Sequence, residues 1–239
     1  MIKTFKKIFL WILLLLVIAV LAIGAVYGVK GYSAFRQALE EEPLEQMVAS
    51  VQNMDSYTAL EQMPEIYPRT VIAAEDHRFY SHCGVDVLGL IRAIWNNIRL
   101  GELREGGSTI TQQLAKNLYF SNVRSAERKI AEAFMALEIE KTLEKDEILE
   151  LYINVIYYGG GQYCLYDAAQ FYLDKIPMEL TDGECALLAG LPNAPSAYAP
   201  HVYPELAEQR RQQVIDKMVR YGVVDEAQAQ IIRAEKVIP

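Results

Sequence analysis

Cysteine is scarce in this chain: Cys83, Cys164 and Cys185 are the only three in 239 residues, and no CxxC pair occurs. That argues against a zinc site or a disulfide scaffold. The three thiols read best as small buried apolar groups; one disulfide stays open, with no pair chosen. Histidine is equally sparse, and His77 and His82, five residues apart, do not share a helix face, so a helical metal site is not expected. Alternating strand-like stretches are few, and repeats and low-complexity tracts are missing. Positive charge is in deficit, 23 Lys+Arg against 31 Asp+Glu for a net charge of −8, so no nucleic-acid partner is expected. At 52% apolar residues the chain is not a disordered one, and its length suits one domain with an added segment.

What is present begins at the N-terminus. Ile8 to Val29 is a run of 22 residues without a charged side chain, enough for a helix to cross a hydrocarbon core of about 30 Å. Lys3, Lys6 and Lys7 precede it, which predicts a cytoplasmic tail at 1–7, a single transmembrane helix at 8–29 and an extracytoplasmic remainder at a bacterial cell membrane. A cleaved leader ending near Ala22-Ile23-Gly24 is the competing reading; the length of the run and its resumption at Lys30 favour a retained anchor. Residues 1–30 carry four lysines and no acid, so a net −8 for the whole leaves −12 on the other 209 residues.

Helical signals dominate after the anchor. Lys30 to Glu42 extends the helix outward to Pro43, and 30–66 reads as a stalk or connector with one short helix. Val87, Leu88, Ile91, Ile94, Trp95 and Ile98 form an apolar stripe that suits either core packing or the bilayer surface. Ser108 is a cap candidate for a helix with Ile110, Leu114 and Leu118 on one face; Ser125 is another, with Ile130, Phe134 and Leu137 facing inward. Lys145 to Tyr157 is a strong helix, Thr181 with Glu184 makes a capping box, Pro204 and Gly222 bracket a long late helix, and Asp225 with Gln228 starts one more. The expected fold is mostly α.

Three clusters stand apart from ordinary core or surface. Glu75-Asp76 with Phe79, His82 and Gly84 follows the apolar run Val71 to Ala74, although paired acids alone are commonly a solvated surface. Gly106-Gly107 lead into Ser108, Thr109, Gln112, Gln113 and Lys116; a helix start of this kind favours an anion, but it is no P-loop. Arg128, Lys129 and Glu132 share a helix face, as simple surface ion pairs or as a pyrophosphate site.

Their order is more telling than any one of them. Glu75-Asp76-x-x-Phe79-x-x-His82-x-Gly84, Gly107-Ser108-Thr109-Ile110-Thr111-Gln112-Gln113-x-x-Lys116-Asn117 and Arg128-Lys129-x-x-Glu132 are followed by Glu147-Ile148-Leu149-Glu150-x-Tyr152-x-Asn154 and by Glu184-x-Ala186-x-Leu188-Ala189-Gly190-Leu191 with Pro195, Tyr198 and Pro200. In this the chain resembles the family 51 glycosyltransferases, the peptidoglycan glycosyltransferases, over about residues 60–205. It departs from the family pattern at Val155, Cys164 and Leu173-Asp174, which leaves the shape of the substrate groove open.

The resemblance implies a lysozyme-like α-helical glycosyltransferase domain, taken as 67–239 with C-terminal helices at 204–239. It implies polymerisation of lipid II, with the growing lipid-linked glycan as donor, inversion at the anomeric carbon and release of undecaprenyl pyrophosphate. Glu75 then matches the general base. Glu132 matches the second acid, which orients its neighbours or a Mg²⁺ or Mn²⁺ ion. Lys116, Arg128 and Lys129 match pyrophosphate contacts; Ser108, Thr109, Gln112 and Gln113 match positions on the substrate; Asp76, Phe79 and His82 shape the first loop. Implied partners are the membrane, the lipid substrates and other cell-wall synthesis proteins. The 39 residues after Pro200 suit two helices, so a monofunctional enzyme without a transpeptidase domain is expected. A glycan hydrolase or an inactive wall-assembly scaffold would share the helical character, but neither needs the cationic clusters together with both acids.

Overall fold

The computed structural model describes residues 2–100, 106–120, 123 and 125–237, and the side chains of Lys3, Lys6, Lys7 and Ile94 lie outside the described set. Eleven α-helices account for most of the described residues: α1 Ile2–Glu41, α2 Leu44–Gln52, α3 Ile66–Glu75, α4 Val87–Leu100, α5 Ile110–Tyr119, α6 Ala126–Thr142, α7 Lys145–Val155, α8 Leu165–Leu173, α9 Asp182–Gly190, α10 Pro204–Arg220 and α11 Glu226–Ala234. Among the described residues there is no strand, only one isolated bridge between Gly159 and Gln162.

α1 is the one described helix long and apolar enough to cross a membrane. It carries on past the apolar run and docks on α6. Gly31 permits the approach, since a Cβ there would lie 2.6 Å from the Ile130 side chain. Lys30 pairs with Glu127 at 3.0 Å, and Tyr32 and Phe35 pack on Phe134 with ring centroids 5.3 and 5.9 Å apart. Residues 30–66 contribute Phe35, Leu44, Val51 and Met63 to the main core, beside Tyr67, Ile110, Leu114, Met135, Ile139, Leu149 and Tyr152. A second cluster joins Ala74 and Ala186 to Val214, Ile215, Met218, Val224 and Ile232. α3 therefore runs between two cores and is gripped along its length, which fixes where its last residue, Glu75, emerges.

Capping chemistry sets most boundaries. Ser125 Oγ accepts from the Arg128 N–H, Thr181 and Glu184 form their reciprocal box, and Asp225 caps α11 with Gln228. α5 corrects the sequence reading by one residue: Thr109, not Ser108, is the N-cap. The Thr109 Oγ1 accepts from Gln112 N–H while the Gln112 side chain returns to Thr109 N–H. α6 corrects a face. Ala131, Met135, Ala136 and Ile139 are its deeply buried apolar residues, whereas Phe134 covers α1 and Leu137 is 40% exposed. The helix is packed on two sides, by α5 and by α1, so a single stripe could not describe it. The α4 stripe is open to solvent: Leu88, Ile91, Trp95 and Ile98 are all more than half exposed. Cys164 and Cys185 are buried as expected, but Cys83 is exposed in the turn before Gly84.

Gly84 is a position where the turn requires glycine. Its φ is +81°, and a Cβ would sit 2.8 Å from the Ala136 carbonyl oxygen on α6. The left-handed backbone alone costs a substituted residue about 1–3 kcal/mol. Gly84→Ala is expected to lower the melting temperature by several degrees, read by circular dichroism; an unchanged melting temperature would show that α6 yields to the methyl group.

Candidate active site

A cleft of about 880 Å³ opens between the C-terminal end of α3, the N-terminal ends of α5 and α6, and one face of α10. Its lining holds seven arginines and lysines, Arg92, Lys116, Arg128, Lys129, Arg210, Lys217 and Arg220, against three acids, Glu75, Glu132 and Asp216. In a chain of net charge −8 this is a local reversal of sign. It suits a multiply anionic ligand, which the protein's overall charge would repel.

Glu75, the last residue of α3, lines this cleft. Its side chain is 8% exposed. Oε2 accepts a hydrogen bond of 3.0 Å from Gln113 Nε2 on α5. Oε1 faces Arg210 Nη2 on α10 at 3.6 Å, and neither of these two atoms makes a hydrogen bond among the described residues. Arg210 is held by its own donation to the Gly190 carbonyl at 3.1 Å and by the Tyr198 ring. The result is a carboxylate pinned through one oxygen by Gln113, with its other oxygen buried beside Arg210 and without a hydrogen bond.

On the α6 side, Glu132 is 2% exposed and accepts from Arg128 Nη1 at 2.6 Å and Lys129 Nζ at 2.9 Å. Lys129 also donates to Ser108 Oγ at 2.8 Å. These charge-assisted bonds hold two cations at the cleft wall in one geometry. They also bear on metal binding. Both Glu132 oxygens are engaged by cations, and among the described residues no group of three His, Cys, Asp or Glu side chains could hold a metal ion. The described residues thus offer no ready-made all-protein site for Mg²⁺ or Mn²⁺; such an ion would be held by one carboxylate, that of Glu132 or Glu75, together with substrate phosphates.

Of the residues singled out from sequence, Glu75, Ser108, Gln112, Gln113, Lys116, Arg128, Lys129 and Glu132 come together on the cleft wall. Asp76, Phe79, His82 and Thr109 are not among its lining. Asp76 Oδ2 accepts from Ile110 N–H at 3.1 Å and meets His82 Nε2 at 2.9 Å, so the carboxylate occupies the positive end of α5 and ties the first loop to it. Phe79 is fully buried, under Lys145 Nζ at 4.3 Å from its ring. Thr109 Oγ1 donates to the Gly84 carbonyl at 2.5 Å. With Asp76, Gln112 and Thr109 taking the first N–H groups, the start of α5 is not the open anion cradle its glycines suggest.

The α10 arm is the part of the cleft that the sequence motifs do not announce. Arg210, Gln213, Lys217 and Arg220 recur at 3, 4 and 3, one helix face, and all line the cleft. His77 and Arg92 line it too. Burial and the Arg92 guanidinium lower the His77 pKa, so the neutral ring accepts from Arg92 at 3.2 Å while stacking on Tyr221. The departures at 164 and 174 lie away from the cleft. Cys164 Sγ caps α8 through Asp167 N–H, and Asp174 closes α8 in a left-handed conformation, φ +54°, where glycine is the usual occupant.

Comparison with known proteins supplies the wider context. The transglycosylase family model matches residues 40–219. Penicillin-binding protein 1A of Neisseria flavescens is 49% identical over 168 residues, covering 70% of this chain and 21% of the relative. The same-named proteins of Neisseria cinerea and Aquifex aeolicus are 50% and 46% identical over 168 residues, 70% of this chain and 21% and 23% of theirs. The chain thus spans about a fifth of the length of these curated relatives. A crystal structure of penicillin-binding protein 1A from Haemophilus influenzae aligns with 54% of this chain and 16% of its own, at 29% identity and a TM-score of 0.38.

Proposed function

The chain belongs to the transglycosylase family, and on that premise we propose that it is a membrane-anchored peptidoglycan glycosyltransferase that polymerises lipid II. The 4-hydroxyl of the incoming lipid II attacks the anomeric carbon of the lipid-linked glycan. The O–H bond breaks with its proton passing to Glu75 Oε1, the new glycosidic bond forms, and the bond from the anomeric carbon to the carrier pyrophosphate breaks with inversion. A sugar hydroxyl is a weak nucleophile, and a positioned general base is typically worth about 10²–10⁴-fold. Lys116, Arg128 and Lys129 offset the charge that builds on the departing pyrophosphate. The α10 arm faces Glu75 from the other side and suits the second pyrophosphate, that of the acceptor.

The observation that carries this reading is the position of the cations relative to the anchor. The apolar stretch of α1 ends at Val29; the next residues, Lys30 and Gly31, touch Glu127 and Ile130, which flank Arg128 and Lys129 in the first turns of α6. A pyrophosphate at the head of a lipid, standing at the membrane surface where α1 leaves it, meets those two cations directly. The exposed stripe of α4 supports a further contact with the bilayer surface. The reading puts the N-terminus in the cytoplasm and the cleft on the outer side of a bacterial cell membrane.

The test is the full-length protein in detergent or vesicles with lipid II as its only substrate. Glycan polymer and free carrier pyrophosphate are the expected products. Digestion of finished peptidoglycan without polymerisation would replace the transferase with a glycan hydrolase.

A further inference from the structure

The bond between Gln113 and Glu75 has a second half that the motif assignments leave unused. Gln113 Oε1 accepts from the Tyr152 hydroxyl at 3.3 Å, while Gln113 Nε2 donates to Glu75 Oε2 at 3.0 Å. Tyr152 comes from the middle of α7, is 1% exposed, and sits in the main core beside Leu149 and Leu151. Burial, and next the Glu75 carboxylate, push the Tyr152 phenol well above its ordinary pKa, so it keeps its proton and acts as a donor.

We propose that Tyr152 and Gln113 are positioning residues for the general base: a relay Tyr152→Gln113→Glu75 that pins Oε2 and thereby presents Oε1 to the attacking hydroxyl. The inference rests on the reading of Glu75 as that base. An amide has one accepting and one donating end. With the phenol donating to its oxygen, the amide turns its NH₂ toward the carboxylate; in the reversed orientation two oxygens would face each other. A hydroxyl anchored in a close-packed core therefore sets the orientation of a side chain in the cleft, and that side chain sets the orientation of the carboxylate. Gln113 accordingly acts on Glu75 first, whereas the family resemblance implies a place on the sugar-phosphate. Sequence separations of 39 positions from Gln113 to Tyr152 and 38 from Glu75 to Gln113 explain why no local motif reveals the connection.

Steady-state lipid II polymerisation by the full-length protein separates the outcomes. Gln113→Ala is expected to lower kcat about 10- to 100-fold and Tyr152→Phe about 10-fold, with KM for lipid II nearly unchanged, as a misplaced catalytic group requires. The double variant should be no slower than Gln113→Ala alone, because Tyr152 acts only through Gln113. Thermal melting of each variant checks the fold, and if Tyr152→Phe fails to fold, Gln113→Leu carries the same kcat-against-KM test. A raised KM with unchanged kcat would place Gln113 on substrate and overturn the relay; so would multiplicative losses in the double variant, or normal kcat in both singles. Glu75→Gln run in parallel keeps the premise separate: an active Glu75→Gln sinks the base assignment, whereas an inactive one beside fully active Tyr152→Phe and Gln113→Ala sinks only the relay.

Discussion

Glu75→Gln is expected to lower glycan polymerisation about 10²–10⁴-fold while leaving the fold and lipid II binding in place. The substitution is nearly isosteric. A glutamine side-chain oxygen still accepts from Gln113 Nε2, which keeps the contact across to α5. Packing of α3 is untouched, since Tyr67 and Val71 hold it in the main core and Ala74 in the second. What disappears is the capacity to take a proton at Oε1, the oxygen left without a hydrogen bond. Polymer yield from lipid II, melting temperature and lipid II affinity measured on one preparation decide the matter. Turnover near the wild-type rate would remove Glu75 as the base. Loss of the fold together with activity would mean that its 3.6 Å approach to Arg210 matters for stability.

Glu75 is legible in the sequence through the order of the motifs; the apolar run before it marks a helix end, which by itself fits a solvated acidic pair equally well. Arg128, Lys129 and Glu132 declare their common face by spacings of 3 and 4. Helix caps at Ser125, Thr181 and Asp225 are legible for the same reason: each is a local pattern whose partners lie three residues away. Contacts made across tens of residues are not. Asp76 reads from sequence as half of an acidic pair and serves as an anchor for α5, 34 residues later. Thr109 reads as a cleft residue, yet its hydroxyl is used by Gly84 and by its own helix. Arg210 lies in a detectable 3-4-3 pattern, but that pattern fits any solvated helix face until α10 is seen packed on α3 and α9. Even its neighbour Arg211 behaves differently: buried, it donates to the Ile232, Arg233 and Glu235 carbonyls and closes the end of α11.

The second large effect separates charge from alignment on α6. Lys129→Ala is expected to lower turnover about 10²-fold with the smaller loss of stability, because a single cation facing a developing charge is removed from a half-exposed position while the buried Glu132 keeps its bond to Arg128. Glu132→Gln should produce a similar loss of turnover by the opposite route. It leaves both cations present but gives up the carboxylate that aligns them at 2.6 and 2.9 Å, and it also lowers stability, since Arg128 then loses its partner in a largely buried site. The melting temperature therefore divides the two variants even where their rates agree. Divalent cations supply the final discrimination. With its two oxygens on Arg128 and Lys129, Glu132 acts through those side chains, so Glu132→Gln should keep whatever Mg²⁺ or Mn²⁺ dependence the wild type shows, at a lower absolute rate. Loss of that dependence in Glu132→Gln alone would make Glu132 a metal ligand after all, and the two ion pairs would then be the arrangement of the metal-free protein.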